Sequence, residues 1–316
     1  MDSTRRTFLK TASLSVAATG LGRNGLHAKD KDSCGVAIGT YGLQSMSVVE
    51  AIQLVAKTGF DAVEITVFSG TTGDPSGALI SKAAREDVRK ALEDSGLRLC
   101  ALMADLKPEE DDGKHANSLT KLNQYIRLAN ELAPGSPPLI QTILGGKKWE
   151  ESKNMFRDRL ANWNQILADQ KGYLSIKPHR SHAMSTPAEA TWLLKQLGNP
   201  RRLSMVYDYS HYAFHDPELT IAETVREALP ITKYVAVKDA LEVEGKVRFA
   251  LAGESGNWDN SEIVKGLYEG GYRGDFCCEV SSQIWRSDPD YDPVEATKVC
   301  YRNLVAAFER AGVPRG

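Results

Sequence analysis

Short apolar runs rich in β-branched residues recur eight times between residues 35 and 280, and each is followed by a longer amphipathic stretch. The runs span 35–40, 62–67, 97–103, 139–144, 173–177, 203–208, 234–238 and 275–280; helical patterning covers 47–58, 80–95, 117–132, 150–170, 187–197, 219–228, 259–270 and 293–312. A strand-then-helix repeat of this kind requires parallel strands joined by right-handed crossovers. Eight such units match a closed (β/α)8 TIM barrel, an α/β fold. An open doubly wound sheet would carry a glycine-rich phosphate loop after its first strand, and 35–40 contains no G-x-G-x-x-G. No low-complexity linker interrupts the series, so residues 29–316 are expected to form one domain.

Local signals support the boundaries. Gly59, Gly96, Gly172, Gly198 and Gly271 each follow a helical stretch and precede a strand, where a left-handed cap is needed. Ser118, Thr186 with Pro187, and Asn257 or Asp259 are suited to starting helices. Within 173–177 and 203–208, Leu, Ile and Met alternate with Ser, Val, Lys and Asp. The apolar set is expected to face the helices. The other set then points into the barrel and brings Lys177 and Asp208 to its upper mouth.

A formal net charge of −2 with no basic stretch in the barrel excludes the electrostatic grip on phosphate that nucleic-acid binding needs. The five cysteines lack any C-x-x-C pair and read as small buried hydrophobes, with Cys277 and Cys278 packing inside and outside the eighth strand.

The first residues, Ser3-Thr4-Arg5-Arg6-Thr7-Phe8-Leu9-Lys10 followed by the weakly apolar 11–21, closely resemble a twin-arginine export signal. That stretch is too short and too polar to span a bilayer stably. The resemblance implies that residues 1–28 are a signal peptide and that the twin-arginine machinery exports an already folded protein to the periplasm. A cofactor could then be loaded before transport. Cleavage near Ala28 would remove four cations and one acid, moving the formal charge from −2 to −5.

Chemistry-bearing residues concentrate where the later strands end: Lys177, His179, Arg180 and His182; Asp208 and His211; Lys238 and Asp239; and Glu279. In a barrel these segments converge on one face. Charges from four strand ends at one mouth would repel or stay unpaired unless a metal, a substrate or mutual pairing satisfied them. Glu64, at the end of the second strand, is a further candidate, either for binding substrate or as an interior carboxylate paired to a neighbouring strand.

Residues 35 to about 312 resemble the xylose-isomerase-like barrels of sugar-phosphate isomerases and epimerases. The resemblance rests on Val206-Tyr207-Asp208-Tyr209-Ser210-His211, on Leu251-Ala252-Gly253-Glu254, and on the run from Gly270-Gly271-Tyr272-Arg273-Gly274 to Glu279. It implies a divalent cation (Mn, Mg, Co or Zn) held by a Glu, an Asp, a His and a Glu after strands five to eight. Asp208 and Glu279 match the second and fourth ligands, whereas Lys177 replaces the first and Ala236 the third. Two repairs remain open. His179 and His182 could supply the missing ligands, or the Lys177 ammonium could sit between Asp208 and Glu279 in place of the cation.

The resemblance also implies a carbohydrate isomerase or epimerase working through an enediolate, and it allows a homodimer. Glu279 is then the expected base, with His211 and Lys238 on substrate oxygens. A lowered Lys177 pKa would let that lysine act as base or form a Schiff base. A sugar lyase or dehydratase and a non-catalytic sugar-binding barrel are the competing readings.

Overall fold

The computed structural model describes residues 32–316, and the expected signal segment lies outside them. The strands are β1 (Gly35–Gly39), β2 (Ala62–Thr66), β3 (Arg98–Met103), β4 (Leu139–Thr142), β5 (Leu174–Ile176), β6 (Leu203–Tyr207), β7 (Thr232–Val237), β8 (Asp239–Val243), β9 (Lys246–Ala250) and β10 (Asp275–Cys278). All but β8 and β9 close into one parallel barrel, in the order β1-β10-β7-β6-β5-β4-β3-β2. Around it run α1 (Val48–Thr58), α2 (Lys82–Ser95), α3 (Asp112–Leu132), α4 (Trp149–Asp169), α5 (Pro187–Gln196), α6 (Ile221–Ala228), α7 (Asn260–Glu269), the single turn α8 (Ser282–Trp285) and α9 (Pro293–Ala311). The architecture is the expected single (β/α)8 barrel.

Caps fix the helix starts. Ser47 with Glu50, Thr186 with Glu189, and Thr220 with Glu223 form reciprocal capping boxes that satisfy donors left open in the first turn. Asp259 caps α7. Ser118 does not start a helix: α3 begins six residues earlier, where Asp111 accepts from the Lys114 N–H. Ser118 lies within α3 and donates to the Lys107 carbonyl at 2.7 Å. Gly59, Gly96, Gly198 and Gly271 take positive φ as expected, but before β5 that conformation falls on Lys171, at φ 58°, and not on Gly172.

The barrel interior and the strand–helix layer are separate cores. Inside sit Ala37, Ala62, Ala101, Val206, Tyr234, Ala236 and Cys277. Outside, Leu174, Ile176, Leu203, Met205 and Cys278 pack with the helices. The two-residue alternation thus points as the sequence indicated, and Ser175 and Ser204 meet inside the barrel at 2.6 Å.

At the lower end of the barrel, Arg98 clasps Asp275 through one Nη at 2.7 and 2.8 Å. Only a glycine fits beside that pair, because a Cβ on Gly35 would lie 2.2 Å from Asp275 Oδ1 and 2.5 Å from an Arg98 Nη. The antiparallel β8–β9 hairpin is an addition that the eightfold pattern did not predict. Its turn is Glu244-Gly245, both at positive φ, as a tight two-residue hairpin requires.

Candidate functional site

Four charged residues continue directly from the upper ends of the barrel strands: Lys177 after β5, Asp208 after β6, Lys238 after β7 and Glu279 after β10. The ladder extends onto two of them, since Lys177 N–H donates to the Thr142 carbonyl at 2.8 Å and Glu279 N–H to the Val237 carbonyl at 3.0 Å. Their backbones are therefore fixed by the sheet. All four side chains are buried, Asp208 completely.

They form a closed square of charge. The Lys177 ammonium lies 3.3 Å from Asp208 Oδ2 and also donates to Glu279 Oε2. Across the square, Lys238 donates to Asp208 Oδ2 at 2.5 Å and lies 2.9 Å from Glu279 Oε1. The remaining oxygen, Asp208 Oδ1, accepts from Ser210 Oγ at 2.6 Å. Every carboxylate oxygen already has a partner.

Burial opposes charge on Glu279, Asp208 and Lys177, and pairing overrides it. For Glu279, burial alone would raise the pKa, but Lys177 and Lys238 bring it down to about 2. Asp208 is lowered in the same way by Lys238 and Lys177. Burial would lower the Lys177 pKa, yet Glu279 and Asp208 push it above the ordinary lysine value. This overturns the expected lowered pKa: at neutral pH Lys177 is an ammonium, not a free amine base or Schiff-base nucleophile.

The histidines stack on one another, and His211 Nε2 also lies 3.5 Å from Asp208 Oδ2. His179 lies between His182 and His211, with ring centroids 4.7 and 4.0 Å away. Burial and then Lys238 hold the His179 pKa down to about 3, so the ring is neutral, and its Nδ1 accepts from the Ser181 N–H. His182 is only partly buried. Among the described residues no group of three or more His, Cys, Asp or Glu side chains is arranged to hold a metal ion. The histidine repair of the metal site therefore does not match this geometry.

His211 and Lys238 sit behind the carboxylates. His211 Nε2 is 3.2 Å from the Lys238 ammonium and must accept from it, which puts the ring proton on Nδ1. Phe249, on β9, covers this corner: its ring centroid is 5.1 Å from the Lys238 ammonium and 5.1 Å from the His211 ring. Gln283 holds the Phe249 N–H at 3.1 Å.

A cavity of about 300 Å³ opens above the square, and Lys177, His179 and Glu279 line it. Tyr41, Phe68 and Ile143 give it an apolar wall, and Gln141 contributes to the polar side. Gln141 also links the cavity to Glu64, donating to Glu64 Oε2 at 2.8 Å, while the Tyr234 hydroxyl donates to the same oxygen at 2.9 Å. Burial, followed by repulsion from Glu279, raises the Glu64 pKa to about 7 against the opposing pull of Lys177 and these two donors. Gly39 makes room for this carboxylate: a Cβ there would be 2.7 Å from Glu64 Oε1. Gln141 and Phe249 were not among the residues expected from sequence. The first was signalled by the polar pair Gln141-Thr142 in the middle of the fourth apolar run, the second by alternation across residues 241–249 around Glu244-Gly245.

A divalent cation does not fit between Asp208 and Glu279 as they stand. Metal–oxygen bonds are about 2.0–2.2 Å long, and the oxygens that would make them are held by two ammonium groups.

Residues 52–299 match the family described as xylose isomerase-like TIM barrel. Among solved structures, an L-ribulose 3-epimerase superposes with a TM-score of 0.69 at 17% identity, over 88% of this chain and 96% of that one. The 3-keto-D-glucoside 4-epimerase YcjR from E. coli gives 0.67 at 14% identity, over 86% and 99%. The IolI protein with a bound zinc atom gives 0.72 at 15% identity, over 88% and 99%. No curated protein matches the chain in sequence.

Proposed function

The chain belongs to the xylose isomerase-like TIM barrel family, and we propose that it isomerises or epimerises a carbohydrate by moving a proton at a carbon next to a carbonyl. The observation that carries this reading is the square of Lys177, Asp208, Lys238 and Glu279 opening through Lys177 and Glu279 onto one cavity. The names of two structural neighbours, a 3-epimerase of a ketose and a 4-epimerase of a 3-keto-glycoside, both describe inversion beside a keto group.

In this reading Glu279 takes the carbon-bound proton. The C–H electron pair becomes the enediolate double bond, the carbonyl π pair moves onto oxygen, and Lys177 holds the resulting oxyanion. Return of a proton to the other carbon, or to the opposite face of the same one, completes isomerisation or epimerisation. A carboxylate with a pKa near 2 is a weak base while both lysines hold it. As charge builds on the substrate oxygen it competes for the Lys177 ammonium, and Glu279 becomes more basic when its basicity is needed. The neutral His179 ring and Gln141 are available to substrate hydroxyls, and the Tyr41 and Phe68 rings to the sugar's apolar face. The twin-arginine-like start supports a periplasmic setting and an unphosphorylated substrate.

Incubation in deuterated water with a panel of aldoses, ketoses and keto-glycosides tests the reading. Solvent deuterium should enter one sugar at the carbon beside its carbonyl, and Glu279→Gln should slow that exchange by about 10²–10⁴-fold. Exchange that is undiminished in Glu279→Gln would remove Glu279 as the base. The low pKa of Glu279 favours one second reading, a non-catalytic sugar-binding barrel. Saturable sugar binding with no exchange into any sugar would establish it.

A further inference from the structure

We propose that Lys177 and Lys238 together replace the divalent cation of a metal-dependent barrel, so that this site carries its positive charge covalently and works without metal. Charge, geometry and room each support the replacement.

A divalent cation brings two positive charges to such a site, and two ammoniums bring the same two. The pair therefore supplies the same total charge at the same oxygens. In a metal site Asp208 Oδ2, Glu279 and a histidine lone pair would point at an ion. Here Asp208 Oδ2 faces both Nζ atoms, Glu279 gives one oxygen to each lysine, and the His211 Nε2 lone pair faces Lys238. Each donor still has a cation to face.

Room for the second ammonium comes from Ala236. It contributes a methyl group to the barrel interior two residues below Lys238, where the resemblance implies an imidazole. The lysine stem can then run up the inside of β7 to reach both carboxylates. Phe249 covers the Lys238 ammonium from the β8–β9 side, and its ring face is favourable to a cation that water does not reach. Lys177 is the ammonium that faces the cavity. Lysine is suited to both places, since its compact charge donates three hydrogen bonds in separate directions.

Metal binding can be read without any substrate, so a failure here is separable from a failure of the isomerase reading. Full-length processed protein, dialysed against a chelator, is titrated calorimetrically with Mn²⁺ and separately with Zn²⁺, and the metal content of the undialysed protein is measured by mass spectrometry. The expected result is no saturable site on the wild type and far less than one equivalent of metal in the purified protein. A variant carrying Lys177→Glu, Ala236→His and Lys238→Ala, which supplies the two missing ligand types and removes both ammoniums from the carboxylates, should gain one saturable site. If that variant does not fold, the wild-type titration decides alone. One equivalent of Mn²⁺ or Zn²⁺ bound by the wild type and lost in Asp208→Asn would overturn the proposal.

Discussion

Replacing Glu64 by glutamine should stabilise the protein in a pH-dependent way. Burial and Glu279 raise the folded-state pKa of Glu64 from 4.5 to about 7. The protonated form is therefore favoured by folding, and ionisation in the folded state is penalised. Stability from this group is full below the unfolded pKa near 4.5 and is lost as pH rises through 7. A displacement of about 2.5 units corresponds to about 3 kcal/mol once both pKa values have been passed, of which about 1 kcal/mol is already lost at pH 5. Glutamine keeps an acceptor for the Gln141 amide and the Tyr234 hydroxyl without carrying the charge. Relative to wild type, Glu64→Gln should therefore gain about 2–3 kcal/mol between pH 5 and pH 8. Urea denaturation of both proteins at each pH unit in that interval measures the difference, which cancels the titration of groups that the substitution leaves undisturbed. A stability difference that stays constant from pH 5 to pH 8 would refute the assignment of Glu64 as a buried carboxyl that titrates near neutrality.

Three other outcomes follow from the same geometry. Lys177→Met should destabilise by about 3 kcal/mol in urea melts, near the low end for breaking a buried ion pair because Lys238 still holds both carboxylates; an unchanged midpoint would mean that Lys177 is not paired in solution. Gly35→Ala should cost about 1–3 kcal/mol by the same measurement, because the new methyl would collide with the Arg98–Asp275 clasp. His179 should show no imidazole titration by NMR between pH 5 and pH 8, since its pKa is held near 3; a shift centred near 6.5 would place the ring in water.

The carbon-to-charge arrangement of the mouth was only partly legible in the chain. Alternation in β5 and β6 was enough to send Lys177 and Asp208 inward and upward, and the Gly-Tyr-x-Gly run led to Glu279. The pairing of Lys238 with both carboxylates was not legible, because its strand shows that it points inward but not how far its four-carbon stem reaches. The histidine count at the fifth and sixth strand ends suggested ligands. In the folded chain the rings stack on one another, because the loop after β5 brings His179 between His182 and His211.

What the sequence determined by itself was periodic and local: eight strand–helix units, the inward set of each strand, and the caps at Thr186 and Asp259. Such features follow from the two-residue repeat of a strand and from hydrogen bonds that close within three or four residues. Only the tertiary structure decided which charges meet, that Glu64 lies in an interior that raises its pKa, and that the β8–β9 hairpin brings Phe249 over Lys238. These depend on closure of the sheet, which brings residues from about 30 to 170 positions apart within hydrogen-bonding distance. Their energies are set by the absence of water there, and no local pattern in the chain encodes that.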